Sequence, residues 1–426
     1  MSHLRVIAKD SQTSSVSSPA ASLRLIEGVA SAHLESGERG VISAVDAILT
    51  EAASHHASDV HFEPLEDALY IRFRVDGMRH DVARISKDHH PRIIARLKIL
   101  AKLVVYQRDV PQDGRIEPKE TSGAQAMRVS TFPTVYGEKA VVRVLGLQDQ
   151  LLRLDALGFA PLVVAQLREL LARPQGTVLL TGPSSSGKTT TIYALLQELI
   201  EGRKNATHTV TIEDPVEYRL GRIAQTEIRP DTGFTFANAL RAILRQDPEV
   251  IMVGEIRDPE TAHTAIQAGL TGHLVISTIH SGTAAGVFTR LLDMGVETFL
   301  LASSVSGVLA QRLVRRNCPH CLETYAPDPA LLARFGLDDQ FRFQRGAGCE
   351  ACQGIGYRGR TAIGELLLTN ETLCDLVLQR SRTRTLHEVA VKCGMATLLN
   401  DGLEKVRQGI TTMEELQRVL PPGDKT

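Results

Sequence analysis

The run Gly182-Pro183-Ser184-Ser185-Ser186-Gly187-Lys188-Thr189 constrains this chain more than any other stretch. A glycine, four residues and then Gly-Lys-Thr is the spacing of a phosphate-binding loop. That spacing has meaning only between a strand and a helix. Residues 177–181 read as the strand, and Ile192, Leu195, Leu196 and Leu199 recur behind the loop at helical spacing. Backbone N–H groups of such a loop converge with the helix N-terminus on an anion. Lys188 supplies a point charge for the β and γ phosphates, and the Thr189 hydroxyl can ligate Mg2+. Gly182, Pro183, Ser184, Ser185, Ser186, Gly187, Lys188, Thr189 and Thr190 are the candidate nucleotide contacts.

The surrounding sequence alternates strands and helices. Strands are expected at 177–181, 208–213, 250–254 and 274–279, with a helix through Phe236, Leu240, Ile243 and Leu244 that stops before Pro248. Another helix is expected from Asp258-Pro259, a cap followed by proline in the first turn, to Gly269. This grammar predicts an α/β, RecA-like domain with a mostly parallel sheet covered on both faces. The part before it reads differently. Leu69, Ile71, Phe73 and Val75 alternate with polar residues into an Asp76-Gly77 turn, and Ile93, Leu97, Leu100 and Val104 follow at helical spacing. The expected organisation is a flexible arm over 1–40 and a smaller α+β domain over 41–150. The ATPase core follows over 151–315, then a four-cysteine module over 316–360 and a helical region over 361–426.

Hydrolysis needs more than a loop: an acid that organises metal or water must stand nearby. The strand 250–253 delivers Gly254-Glu255-Ile256-Arg257-Asp258 at its carboxyl end, the edge where ligands bind in such sheets. Glu255 suits a base or water-orienting carboxylate. Glu213 ends the strand at 208–212, and a third polar set comprises His273 and His280. Singly, such residues are more often helix caps or structural histidines. Together they are expected to converge on the loop.

Composition excludes several classes. Of 426 residues 43% are apolar and 23% charged, and the net charge is −1. No basic field or stacking surface points to nucleic acid, with aromatics at 4%. The longest uncharged apolar run, 298–311, is too short to span a bilayer, and no leader pattern opens the chain. A cytoplasmic protein is expected, touching membrane only through partners. Cys318-Pro319-His320-Cys321 and Cys349-Glu350-Ala351-Cys352 form two C-x-x-C knuckles around the segment 322–348. Four thiolates so spaced suit a closed structural zinc site, with an iron–sulfur centre or redox pairs as alternatives. His320 lies between ligands and is not expected to be one. Cys374 and Cys393 are expected to be packed thiols.

Longer motifs now become recognisable. Residues 211–218 (Thr-Ile-Glu-Asp-Pro-Val-Glu-Tyr), 254–258 and 271–280 resemble the Asp box, Walker B and His box of secretion ATPases. These are the type II secretion and type IV pilus assembly motors. Residues 57–64, 112–116, 128–131 and the tail from Gly394 to Glu415 fit as well, so the likeness covers about 40 to about 420. It implies a homo-hexameric, Mg2+-dependent ATP hydrolase that drives pilin or pseudopilin assembly or type II secretion. Its partner would be an inner-membrane platform protein. It implies ATP between two domains and a neighbouring subunit, with Arg128 and Arg143 reaching the phosphates and His273 and His280 sensing them. Arg72 and Arg74 are weaker candidates for the arginine role. A pilus retraction motor and a nucleic-acid translocase on a similar core are the alternatives. The four cysteines favour assembly or secretion, because the retraction motors generally lack them. Three departures stand out. Ser185 replaces the family's usual loop glycine, and Ser281-Gly282-Thr283 follows His280 in place of Thr-Asn-Asp. About 40 residues precede the match, where assembly motors carry a docking domain.

Overall fold

The computed structural model describes residues 20–34, 38–117, 125–145, 153–202, 208–229, 232–335, 337 and 341–420. The chain divides into two compact units, one built mainly from residues up to Val142 and the other mainly from Arg143 onward.

The first unit contains α1 (Ala20–Leu34) and α2 (Glu38–Ser54), then β1 (Asp59–Pro64), β2 (Leu69–Val75) and β3 (Met78–Ile85). After α3 (His90–Leu100) come β4 (Gln112–Ile116), β5 (Ala126–Thr134) and β6 (Gly137–Leu145). The six strands form one sheet in the order β3-β2-β1-β6-β5-β4. The alternation in β2 works as expected: Leu69, Ile71 and Phe73 are buried, and Asp76-Gly77 turns the chain into β3. The flexible arm needs correction. Residues 1–19 and 35–37 lie outside the described residues, but 20–34 form a helix. Ile26, Ala30 and Leu34 are buried at four-residue intervals, a stripe that the Ser/Ala-rich composition concealed.

The second unit opens with α4 (Pro161–Ala172), β7 (Gly176–Thr181) and α5 (Lys188–Gly202), then β8 (Thr209–Glu213), β9 (Ala224–Glu227) and α6 (Phe236–Ile243). It continues through β10 (Val250–Ile256), α7 (Pro259–Leu270), β11 (Leu274–Ile279), α8 (Ala284–Asp293), α9 (Thr298–Ser304) and β12 (Val305–Asn317). The α7 cap forms as expected, with the Asp258 carboxylate accepting from the Thr261 N–H at 2.8 Å. Next come β13 (Leu322–Tyr325), α10 (Pro329–Phe335), β14 (Phe343–Gly346) and β15 (Tyr357–Leu368). Helices α11 (Glu371–Leu378), α12 (Thr383–Lys392), α13 (Leu398–Arg407) and α14 (Met413–Val419) close the described chain.

Seven strands form the sheet β15-β12-β7-β11-β10-β8-β9, parallel from β12 to β9, with β15 antiparallel at one edge. Strand alternation divides its side chains between two cores. Leu179, Ile251, Val253 and Val275 pack with residues of α6, α7 and α8. Val178, Leu180, Met252 and Ile276 pack with residues of α4 and α5. The strands are therefore apolar on both faces, as helix-covered parallel sheets require.

The expected boundaries at 316 and 361 shift. Strands β12 and β15 are hydrogen-bonded neighbours from Gly307↔Leu368 to Asn317↔Tyr357, so the cysteine module is an excursion between two core strands. Residues 361–368 are strand, and the helical tail starts at Glu371. The sequence masked this because Gly354, Gly356 and Gly359 introduce a strand that carries no clean alternation.

Candidate functional site

Strand β7 ends at Thr181, and the chain turns at once into the Gly-rich loop. Gly182 has φ 149°, Ser185 φ 63° and Gly187 φ 88°. A Cβ on Gly182 would lie 2.5 Å from the Gln311 carbonyl oxygen, so β12 leaves no room for a side chain there. Ser185, standing where the family has glycine, adopts the left-handed conformation itself. It accepts the cost that a β-carbon brings in that region. Helix α5 begins at Lys188, which points its N-terminal N–H groups into the loop. The Ser186 hydroxyl is buried without a hydrogen-bond partner, a costly arrangement that suits a polar ligand in the cradle. Strand β12 braces the loop, with Gln311 Nε2 donating to the Ser186 carbonyl at 2.8 Å.

The Lys188 ammonium donates to the Gly182 and Pro183 carbonyls at 2.8 and 2.9 Å. Its pKa is held below the usual lysine range, chiefly by burial. Glu255 opposes the shift and the Arg312 charge adds to it. Glu255, at the end of β10, is largely buried and pairs with Arg257. His280 follows β11, with Nε2 3.9 Å from Glu255 Oε2. Lys188, Glu255 and His280 thus gather at the carboxyl edge of β7, β10 and β11, as expected from the sequence. The turn after His280 is tied to β7: the Thr181 hydroxyl donates to the Ser281 carbonyl at 3.0 Å, and the Ser281 N–H donates to the same hydroxyl at 2.9 Å. Thr283 caps α8 by accepting from the Gly286 N–H.

Two expected members do not join this group. His273 immediately precedes β11, and β11 and β7 run parallel from Leu274↔Gly176 to Ile279↔Thr181. It therefore stands at the amino edge, on the order of 20 Å along the strand from His280 at about 3.3 Å per residue. Its ring contacts the Ala268 carbonyl at 3.1 Å, and its own carbonyl accepts from the Gly176 N–H. These contacts hold it at that edge; the motif carries His273 and His280 together, but the strand separates them. Glu213 ends β8 at the correct edge but is 4% exposed. Its oxygens accept from Tyr193, from Thr211 at 2.5 Å and from Gln225 at 3.1 Å. These three bonds anchor it within the protein.

Sequence reasoning missed Tyr193, Gln311 and Arg312. Tyr193 is fully buried in α5, and its hydroxyl also accepts from the Glu217 and Tyr218 N–H groups at 3.2 Å. It thereby fixes the Asp-box turn. Burial, followed by the Glu213 charge, pushes its pKa up. Only its place one residue after Ile192 in an apolar stripe could have pointed to it. Gln311 and Arg312 lie within β12, far along the chain, and only knowing that β12 lies beside β7 reveals their proximity.

Arg128 and Arg143 occupy exposed positions on β5 and β6, between buried Met127 and Val129 and beside buried Val142. Arg72 is committed to pairs with Glu63 and Asp81, and Arg74 to the Gly77 carbonyl at 3.0 Å and to Asp59.

The sulfurs of Cys318, Cys321, Cys349 and Cys352 all lie within 4.8 Å of one another. Cys349 and Cys352 Sγ are 3.8 Å apart, the edge of a tetrahedron with metal–sulfur bonds of about 2.3 Å. The Cys349 N–H donates to Cys352 Sγ at 3.1 Å, a contact that favours a thiolate. The donor set therefore fits zinc. His320 stays outside it, 3.1 Å from Arg358. Cys374 donates to the Ala302 carbonyl and is half-buried, whereas Cys393 is exposed, not packed as expected.

The family model described as Type II/IV secretion system protein matches residues 35–418. The chain is 46% identical over 381 residues to the Vibrio cholerae type II secretion system ATPase E, covering 89% of this chain and 75% of that one. It is 44% identical over 387 residues to the Thermus thermophilus type IV pilus assembly ATPase PilB. That match covers 90% of this chain but 43% of the relative's length. Among solved structures, the pilus retraction motor PilT with bound ADP aligns at TM-score 0.60 and 26% identity, over 89% of this chain and 98% of that chain. The Legionella pneumophila ATPase DotB aligns at TM-score 0.64 and 22% identity, over 88% and 94%, and bears on the fold alone. On the match over nearly its whole length, this chain belongs to the type II/IV secretion system protein family.

Proposed function

We propose that the protein is a Mg2+-dependent ATPase that works as a homo-hexamer and drives type II secretion or the assembly of pilin-like subunits. Turnover changes the relation between its two units, and an inner-membrane platform protein receives the motion. It acts in the cytoplasm and reaches the membrane through that partner. One observation carries this reading: Lys188, Glu255 and His280 meet at one sheet edge around an intact phosphate loop. The names of the secretion and pilus-assembly relatives support the biological task.

The residues divide the work. Loop N–H groups and Lys188 hold the phosphates, and Thr189 would hold Mg2+, which neutralises phosphate charge when bound. Glu255 orients or activates water, and His280 beside it senses the phosphate state. Arg128 on β5 and Arg143 on β6 supply positive charge to the phosphates; such arginines can be worth about 10³–10⁵ in rate. Glu213 and Tyr193 hold the Asp-box turn. Cys318, Cys321, Cys349 and Cys352 would hold a structural zinc ion. A retraction motor is the second reading, favoured by the near-complete coverage of PilT. The four-cysteine cluster speaks for assembly or secretion.

In the test, Glu255→Gln loses ATP hydrolysis but retains nucleotide binding, while Lys188→Ala loses both. Hydrolysis by Glu255→Gln at the wild-type rate rejects the assignment.

A further inference from the structure

Two loops meet at the carboxyl edge of the second sheet: the phosphate loop after β7 and the turn 280–283 after β11. Strand β7 lies between β12 and β11. Arg312 belongs to β12, yet its Nη2 donates to the Gly282 carbonyl at 2.9 Å, in the turn that follows β11. Its side chain must therefore cross the end of β7, where the phosphate loop is rooted. Its other terminal nitrogen, Nη1, donates to the Gln311 carbonyl at 3.1 Å and lies 3.3 Å from where a Gly182 Cβ would be. The guanidinium thus spans the root of the loop, held at both ends by backbone oxygens.

This geometry has an electrostatic consequence. Arginine stays charged at any physiological pH. Its charge depresses the Lys188 pKa and partly offsets the burial that raises the pKa of Glu365 on β15. Glu365 accepts in turn from the Ala284 N–H at 2.9 Å, at the start of α8. Arg312 therefore lies within electrostatic reach of the loop lysine and of the acid that caps the helix after the His280 turn.

We propose that Arg312 is a positioning residue for the nucleotide: a fixed second cation at the root of the phosphate loop that also locks the 280–283 turn to it. The proposal rests on the reading of the loop as a nucleotide site. Arg312 and Lys188 both add positive potential at the loop root, alongside the carboxylates of Glu255 and Glu365, and a polyphosphate bound there gains from each cation.

The test titrates the full-length chain with a fluorescent ATP analogue and Mg2+. Arg312→Gln, which keeps amide donors but no charge, is expected to weaken binding about tenfold or more. Arg312→Lys, which keeps the charge, is expected to stay within about threefold of wild type. A thermal melt of each variant checks that the fold is kept. Wild-type affinity in Arg312→Gln overturns the proposal. So does an equal loss in both variants, because the charge would then add nothing to nucleotide binding. Lys188→Ala in the same titration separates the two readings: if it binds as wild type does, the nucleotide site itself is misplaced, whatever Arg312 shows.

Discussion

Removing one oxygen, by Tyr193→Phe, tests how the Asp-box turn is held. The hydroxyl donates to Glu213 and accepts from the Glu217 and Tyr218 N–H groups. A hydrogen bond to a buried carboxylate contributes about 1.5–3 kcal/mol. The two N–H groups are half-buried and can reach water once the turn relaxes, so their loss adds about 1 kcal/mol. Glu213 keeps Thr211 and Gln225 as donors, which limits the damage. The sum is about 2.5–4 kcal/mol, or a fall in melting temperature of about 5–8 °C for a unit of this size. The assay is thermal unfolding of wild type, Tyr193→Phe and Glu213→Gln. Glu213→Gln keeps one acceptor but turns an NH2 donor toward the donors that the other oxygen served, so it is expected to lose stability as well. A Tyr193→Phe protein within about 0.5 kcal/mol of wild type, the scatter of ordinary surface changes, refutes the reasoning.

Two further outcomes are expected. Metal analysis of the purified chain should find about one zinc ion per chain, and Cys321→Ser should lose it and loosen the module, because closed four-sulfur sites bind as units. Failure to find metal in wild type, with free thiols reacting at all four positions, removes zinc from the account. The first unit should weaken on acidification. Burial lowers the pKa of His61 and of His80, so the unfolded chain takes up protons first. Stability is then full above about 6.5 and falls as pH drops below it, while Glu63, also lowered, contributes a loss only in the carboxylate range. Melting curves between about pH 7.5 and 5.5 should flatten in His61→Gln; an unchanged slope counts against the burial argument.

Much of this architecture was legible because its signals are local. The strand at 274–279 and the helix capped by Asp258 follow from apolar runs and cap chemistry, and both appear where expected. So does the strand–loop–helix around Lys188. The departures share one physical cause: a one-dimensional motif does not say what the fold brings alongside it. His273 and His280 belong to one sequence block, but six extended residues place them at opposite edges of the sheet. Glu213 was correctly placed at the carboxyl edge. Its burial depends on Tyr193 and Gln225, whose approach no spacing rule announces. Arg312 was invisible for the same reason, since its neighbours on the loop lie more than a hundred residues earlier in the chain.

The cysteine excursion leaves the sheet at the end of one strand and returns at the start of its hydrogen-bonded neighbour. Topologically it is an ornamented hairpin tip. Its presence or absence costs the sheet no strand and alters no crossover. Its Leu331, Leu332 and Phe343 nevertheless share a buried cluster with Val314, Ile363 and the apolar faces of α13 and α14, so anything that replaces it must cover the same surface.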